Sequence, residues 1–214
     1  MAINFDAITN INNIGTPGTI VTGNHTAGTL QSGVVFCFVT YNAGAIVSVT
    51  YNGVNMIYTG ITASTSSGAI VMVWSLLNPP SGTSSVVVTC SVSATILNYT
   101  MTYSGVAWYN LISQYNTANS ITGGTSITLA LTTKTRNSWV IGWIRSNGSL
   151  TLGGSGYTSR LLASNVMAAD TNGPLTAGTI STLTGNYTPT GAENMAVLLE
   201  LVPYEFNVGL LESL

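Results

Sequence analysis

Apolar and polar residues alternate with a period of two along most of this chain, the spacing that sends successive side chains to opposite faces of a strand. Val47, Val49 and Tyr51 alternate with Ile46, Ser48 and Thr50. Asn52-Gly53 follows, and Val54-Asn55-Met56-Ile57-Tyr58 resumes the pattern. Asn-Gly between alternating runs marks a type I′ turn, because both residues tolerate positive φ, so a hairpin is predicted over 45–58. Further strands are predicted over 69–76 and 84–92, the second with Val86, Val88 and Cys90 on one face. Between them Asn78-Pro79-Pro80-Ser81-Gly82-Thr83 reads as a turn, since prolines cannot donate to a sheet ladder. Residues 96–106 alternate again. Residues 126–131 and 138–145 read as a hairpin around Lys134, Thr135, Arg136 and Asn137, and strands over 157–163 and 193–204 close the series.

No segment carries a 3.6-residue apolar stripe with caps, so helix content is expected to be very low. The fold class this predicts is all-β: a two-sheet antiparallel β-sandwich of jelly-roll type, with about eight to ten strands and extended terminal arms. Thr and Val suit a half-buried pleated surface. Residues 9–33, 113–126, 146–156 and 164–192 are rich in Gly, Asn, Ser and Thr and fit the alternation less well. Composition does not shift along the chain, which gives one domain: an N-terminal arm and first strands over 1–33, the sandwich over 34–204 and a C-terminal arm over 205–214. Repeats are visible only as similarity between strands.

Composition sharpens this picture. Of 214 residues, 45% are hydrophobic and 5% are charged, with a net charge of −2. Ordinary soluble proteins carry about 25% charged residues. Four Lys and Arg cannot build a basic face, which excludes a nucleic-acid binder working by phosphate neutralisation. The composition also excludes a coiled coil and a charge-rich disordered tail. No apolar run approaches the roughly 18 residues of a membrane helix, and no membrane partner is expected. The first ten residues hold no Lys or Arg and no apolar h-region follows, so a chain made soluble without a Sec-type leader is expected. Cys37 and Cys90 lie in β-branched runs and read as buried free thiols.

Candidate chemistry is sparse. His25, the only histidine, sits in Thr22-Gly23-Asn24-His25-Thr26-Ala27-Gly28 and reads as a loop residue with no acidic partner nearby in sequence. Asp170 with Glu193 or Glu200 is the only carboxylate pair a glycosidase reading would use, and nothing selects it. Alternation places Glu200 opposite Leu199 and Leu201, as a charge on an outward face or one paired across an interface. Asp170-Thr171-Asn172-Gly173 offers one carboxylate where a Ca²⁺ site needs several hard ligands, and reads as a plain turn. No catalytic, cofactor-binding or metal-ligating residue is therefore selected, and a non-enzymatic chain is expected. Trp74, Trp139 and Trp143 lie within strands and read as core. Trp108 and Tyr109 follow a strand end and are the candidate ligand-binding aromatics, of the kind that stacks on sugars.

One resemblance runs through residues 34–110. It is carried by Ser48-Val49-Thr50-Tyr51-Asn52-Gly53-Val54-Asn55-Met56, by Val73-Trp74-Ser75-Leu76-Leu77-Asn78-Pro79-Pro80-Ser81-Gly82-Thr83, by Val86-Val87-Val88-Thr89 and by Tyr103-Ser104-Gly105-Val106. This order resembles β-sandwich modules of bacteriophage virion proteins and bacterial extracellular proteins. The resemblance implies a sandwich in a particle or on a surface, and it carries over no catalytic residue. With the low charge, it leads to the expectation of a self-assembling structural subunit: a virion coat, decoration or fibre protein. A subunit of an extracellular filament joined by strand exchange, and a carbohydrate-binding or adhesion module on an extracellular surface, are the alternatives. The expected partners are the chain itself, other virion proteins and a host glycan. Apolar residues near both ends, Ile3 and Phe5 and then Phe206, Val208, Leu210 and Leu211, are the candidate assembly residues, on arms that exchange strands between copies.

Overall fold

A computed structural model describes residues 1–12, 18–118, 124–163, 165–188 and 193–205. The alternating runs become strands throughout. The first half holds β1 (Asn4–Asn12), β2 (Gly18–Ala27), β3 (Val34–Tyr41), β4 (Ile46–Tyr51), β5 (Val54–Asn55), β6 (Ile57–Ser64), β7 (Ile70–Leu77), β8 (Gly82–Ala94) and β9 (Ile96–Ser104). The second holds β10 (Ile112–Ala118), β11 (Ser126–Thr132), β12 (Trp139–Ser146), β13 (Ser149–Gly153), β14 (Thr158–Ala163), β15 (Val166–Asp170), β16 (Ile180–Thr188) and β17 (Asn194–Leu201). All ladders between them are antiparallel.

The strand orders reveal an internal duplication. In the first half the inner sheet runs β1-β9-β3-β7-β6 and the outer sheet β2-β8-β4-β5. In the second half the inner sheet runs β10-β17-β12-β15-β14 and the outer sheet β11-β16-β13. Each half winds the first strand beside the last and the second beside the next to last, alternating between its sheets, which is the jelly-roll order. Apart from the two-residue β5, every strand of one roll has a counterpart in the other.

The two rolls stack inner sheet on inner sheet, giving four layers and three apolar cores. Val35, Cys37 and Val39 of β3 face Val86, Val88 and Cys90 of the first outer sheet. The alternate residues Phe36 and Phe38 face the other way, against Trp139, Ile141 and Trp143 of β12. Val140, Ile144 and Leu198 then face Ile127, Leu129 and Leu183 of the second outer sheet. The Phe38 and Trp143 rings stack at the centre of the molecule, 6.1 Å between centroids. Burying each such side chain is worth roughly 1.5–3 kcal/mol. A strand covered on both faces needs apolar residues throughout, so β3 and β17 are buried at every position, whereas β11 alternates strictly between exposed and buried.

Several expectations need correction. The fold is the predicted jelly-roll sandwich, but the described residues form seventeen strands and two rolls rather than about eight to ten strands in one. The alternation is hard to read where outward residues are Thr and Asn and an inward one is Gly, as with Gly185 in β16. Around Asn52-Gly53 both φ angles are positive (49° and 77°), as the turn requires, but β5 ends at Asn55 and the chain crosses to the inner sheet as β6. Residues 126–145 are not a hairpin: β11 belongs to the outer sheet and β12 to the inner one. The N-terminal segment is not a free arm in this fold. Residues 4–12 pair with β9 as a strand of the chain's own sheet, Ile3 is buried in the central core, and Phe5 packs against that core. Phe206, Val208, Leu210 and Leu211 lie outside the described residues.

Candidate functional site

The chain passes from one roll to the other at the end of the stack where β9 and β17 finish and β10 begins. Gly105 makes the crossing possible. Its φ is +72°, and a Cβ there would sit 2.0 Å from the Ala2 carbonyl oxygen, so no other residue fits. Val106 bridges Pro203, the Ala107 N–H donates to the Val202 carbonyl, and the Tyr204 N–H donates to the Gly105 carbonyl. The N-terminal ammonium of Met1 donates to the Tyr204 carbonyl, so both ends of the described chain meet here.

This end also carries Trp108 and Tyr109. Trp108 is 55% exposed and its ring leans on Tyr204, with centroids 5.5 Å apart. Tyr109 is 83% exposed. Just beyond them Leu111 and Ile112 lead into β10, whose edge lies beside the edge strand β6 of the other roll. A groove of about 450 Å³ opens between them, walled by Ile57, Tyr58, Thr59, Leu77, Leu111 and Ile112. Ile57 is 71% exposed at its rim. Thr59 and Ile112 also line a second hollow that continues toward Tyr115 and Lys134.

The opposite margin of the inner sheets, where β1 lies beside β14, is filled at Arg160, and a hollow of about 470 Å³ lies only at its end, lined by Ile3, Asn4, Trp139, Asn172 and Pro174. Arg160 is the extra residue of a bulge in β14, between Ser159 and Leu161. Its guanidinium donates to both oxygens of Asp170 at 2.8 and 2.9 Å and to Asn172 Oδ1 at 2.6 Å. Its Cζ lies 4.3 Å from the centre of the Phe5 ring. Asp170 is fully buried and also accepts from the Tyr103 hydroxyl at 3.0 Å. Burial, with the neighbouring carboxylate, pushes the Tyr103 phenol well above its ordinary pKa, so it remains a donor.

The ladders show that these two margins are counterparts. Tyr103 pairs with Phe5 and Val34 as Leu201 pairs with Ile112 and Trp139, which matches Phe5 with Ile112. Phe36 pairs with Ser75 as Ile141 pairs with Asp170, which matches Ser75 with Asp170. Both edge strands lose register after the matched residues Tyr58 and Ser159, so Thr59 takes the place of Arg160. Where one roll has a paired cation and carboxylate, the other has two small hydroxyl residues, and the groove occupies the space left over.

The same correspondence relates two acids, half-buried Asp6 and buried Glu200. β1 bulges at Asp6 and β10 at Ser113, between matched pairs. Asp6 accepts from the Thr102 hydroxyl at 2.7 Å and the Gly28 N–H at 3.0 Å. In the second roll Glu200 stands at the counterpart of Thr102 and accepts from the Ser113 hydroxyl and from the N–H groups of Lys134 and Thr135, the latter at 2.9 Å. Acid and hydroxyl have exchanged strands, and each carboxylate holds the start of the arch after β2 or β11. Glu200 is therefore fully buried, not the outward charge that alternation suggested. Burial works to raise its pKa, but the Ser113 hydroxyl and the two N–H groups outweigh it, and the net direction is downward. Both of its oxygens accept hydrogen bonds, from the arch and from Ser113.

His25 lies in β2 and is buried, not in a loop. Its Nδ1 is 2.8 Å from Thr9 Oγ1 and its Nε2 3.3 Å from Thr102 Oγ1. Burial lowers its pKa to about 4, against a smaller upward pull from Asp6, so the ring is neutral at pH 7. Cys37 and Cys90 are both buried and unpaired, and burial pushes the Cys37 thiol up to about 12. Asp170 with Asn172 forms a turn held by Arg160 rather than an open oxygen cage. Among the described residues no group of three or more His, Cys, Asp or Glu is placed to hold a metal ion.

Of the candidate residues, Trp108 and Tyr109 are exposed beside the groove, whereas Ile3 and Phe5 belong to the closed interior. Sequence reasoning missed Ile57, Thr59 and Ile112. The strand pattern alone could not reveal them, because their exposure depends on which strands end up at sheet edges. The chain matches no protein-family model and no curated protein sequence.

Proposed function

We propose that the chain is a non-enzymatic structural subunit that self-assembles, as a coat, decoration or fibre protein of a virion. The observation that carries this reading is the largely apolar margin between β6 and β10, with Ile57, Tyr58, Trp108, Tyr109 and Tyr115 exposed along one side and end of the stack and Lys134 the one charged residue lining its hollows. A monomer leaves such a surface in water at a cost, and contiguous apolar patches of this kind are features of interaction sites. The 5% charged content supports the same reading, since large faces then associate with little self-repulsion and little desolvation of ions. Jelly rolls serve as coat domains in many viruses. The resemblance of residues 34–110 to virion modules points the same way.

Negative-stain electron microscopy of the untagged protein, with light scattering on the same sample, tests this. Shells, tubes or large closed rings are expected. A monodisperse monomer would overturn it. The exposure of Trp108 and Tyr109 also suits the second reading, a carbohydrate-binding module, in which a monomer or small oligomer retains glycans on an array through these two rings.

A further inference from the structure

We propose that the groove between β6 and β10 receives the apolar C-terminal segment, residues 206–214, of a second copy of the chain. This rests on the self-assembly reading and specifies how copies are joined.

The sealed margin shows what such a site requires. There the chain fills its own gap with the Arg160 side chain, laid over Phe5 and neutralised by Asp170. In the open counterpart Thr59 and Ser75 supply neither the bulk nor the charge, and Ile112 replaces Phe5. The gap that remains is walled by Ile57, Tyr58, Leu77, Leu111 and Ile112, with no ionisable group but the Tyr58 phenol. An occupant that complements it is apolar, uncharged along the part that enters, and slender enough to lie between two sheet edges.

Residues 206–214 have that character. Phe206, Val208, Leu210 and Leu211 are apolar, and Glu212 is the single charge in the segment. The described chain leads out of the second roll at the same end of the stack as the groove. Tyr204 leans on Trp108, two residues before Asn110, which lines the groove, and Glu205 is held 3.3 Å from Arg136. Nine extended residues reach about 30 Å, enough to span from one copy into the groove of a neighbour. Anchoring is by side chains rather than by strand addition along the whole of β6. The loss of register between Tyr58 and Thr62 interrupts that edge, as bulges do where a sheet must not extend.

Disulfide trapping between two differently tagged full-length chains tests this. One chain carries Ile57→Cys. The other carries Phe206→Cys, Val208→Cys, Leu210→Cys or Leu211→Cys in turn. Cys37 and Cys90 are buried and do not compete. A mixed disulfide from at least one pairing is expected on mild oxidation, together with loss of assemblies when residues 206–214 are deleted and the β-sheet circular dichroism is unchanged. Assemblies that form normally while no pairing gives a mixed disulfide would overturn the inference and leave self-assembly standing. A disulfide formed only within a chain carrying both substitutions would place the segment on its own groove and overturn it as well. A full-length chain that stays monomeric by light scattering would overturn the self-assembly reading itself, and this inference with it.

Discussion

On one margin of the stacked inner sheets Arg160 lies over Phe5 and is tied to Asp170; on the other, Thr59 and Ser75 hold the matching places beside Ile112, and a groove remains. The ladders are alike on both sides: a jelly-roll edge strand that loses register after the matched residues Tyr58 and Ser159, by two residues in β6 and by one in β14, beside a first strand that bulges at the same point. The difference lies in a few side chains. Topology sets where a gap between stacked sheets must occur, and the side chain at the irregular position decides whether the chain fills it. Filling it with a guanidinium requires a buried carboxylate to match, and Asp170 supplies it while also accepting from the Tyr103 hydroxyl and the Asn172 N–H. Leaving it empty keeps an apolar surface in water, which is sustained where something else covers it.

The largest effect should come from making the closed margin resemble the open one. Arg160→Thr alone leaves the fully buried Asp170 without its cation, at a cost of about 3–5 kcal/mol in urea unfolding. Asp170→Ser alone should cost less, about 1–2 kcal/mol, since the Arg160 side chain is 15% exposed and can turn toward water. The double variant reproduces the open margin, and its loss should be smaller than that of Arg160→Thr alone. Strictly additive losses would mean that the two margins are not interchangeable solutions of one geometry.

A second difference between the rolls is chemical. Each has a carboxylate that ties down an arch, but only the first has a histidine beside it. His25 is neutral when folded, with a pKa of about 4 against an ordinary value of 6.5. The unfolded chain therefore binds a proton that the folded chain refuses between those values. The contribution of His25 is complete above pH 6.5 and is lost as the pH falls toward 4, on the order of 3 kcal/mol in all. Glu200, whose pKa is lowered, adds a loss that begins as the pH enters the ordinary carboxylate range, where the unfolded chain takes up the proton, and is complete below the lowered folded value. His25→Gln should flatten the first part of the acid profile and leave the second. Amide exchange at pH 5 should show β1, β2 and β9 opening more readily than β10, β11 and β17; equal opening of the two rolls would remove this distinction.

Much of the fold was legible along the chain, and the limits have physical causes. Alternation in 46–51, 86–90 and 96–103 reported a strand with one or both faces buried, and Asn52-Gly53 reported its turn through the positive φ values it needs. The duplication was not legible, because the two rolls preserve positions rather than residues: Phe5 answers to Ile112, Asp6 to Ser113, and Thr102 to Glu200. A carboxylate and a hydroxyl that exchange strands leave the geometry intact and erase the sequence signal. Glu200 misled for a related reason. Period two tells which residues share a face, but not whether the other face is wet, and in a four-layer stack central inner strands such as β3 and β17 have no wet face. Trp108 and Tyr109 stood out as candidates because they follow a strand end rather than alternate within one, but the chain alone did not separate an exposed ring from an interface or core one. The groove beside them was not, because an edge position is a property of sheet order.

The smallest expected effect on stability bears most directly on the open margin. Ile57 is 71% exposed, so Ile57→Lys removes little burial and should change the unfolding free energy by no more than about 0.5 kcal/mol. On the free chain it should pass unnoticed by circular dichroism and thermal melting. At the rim of the groove, however, it places an ammonium where any partner must make contact, and a charge that loses water without a counterion costs far more than the substitution costs the monomer. A folded, thermally unaltered Ile57→Lys chain that fails to assemble is therefore the expected outcome, by light scattering. Normal assembly of that chain would show that copies meet elsewhere on the molecule, and the open margin would then be only a gap that the first roll never filled.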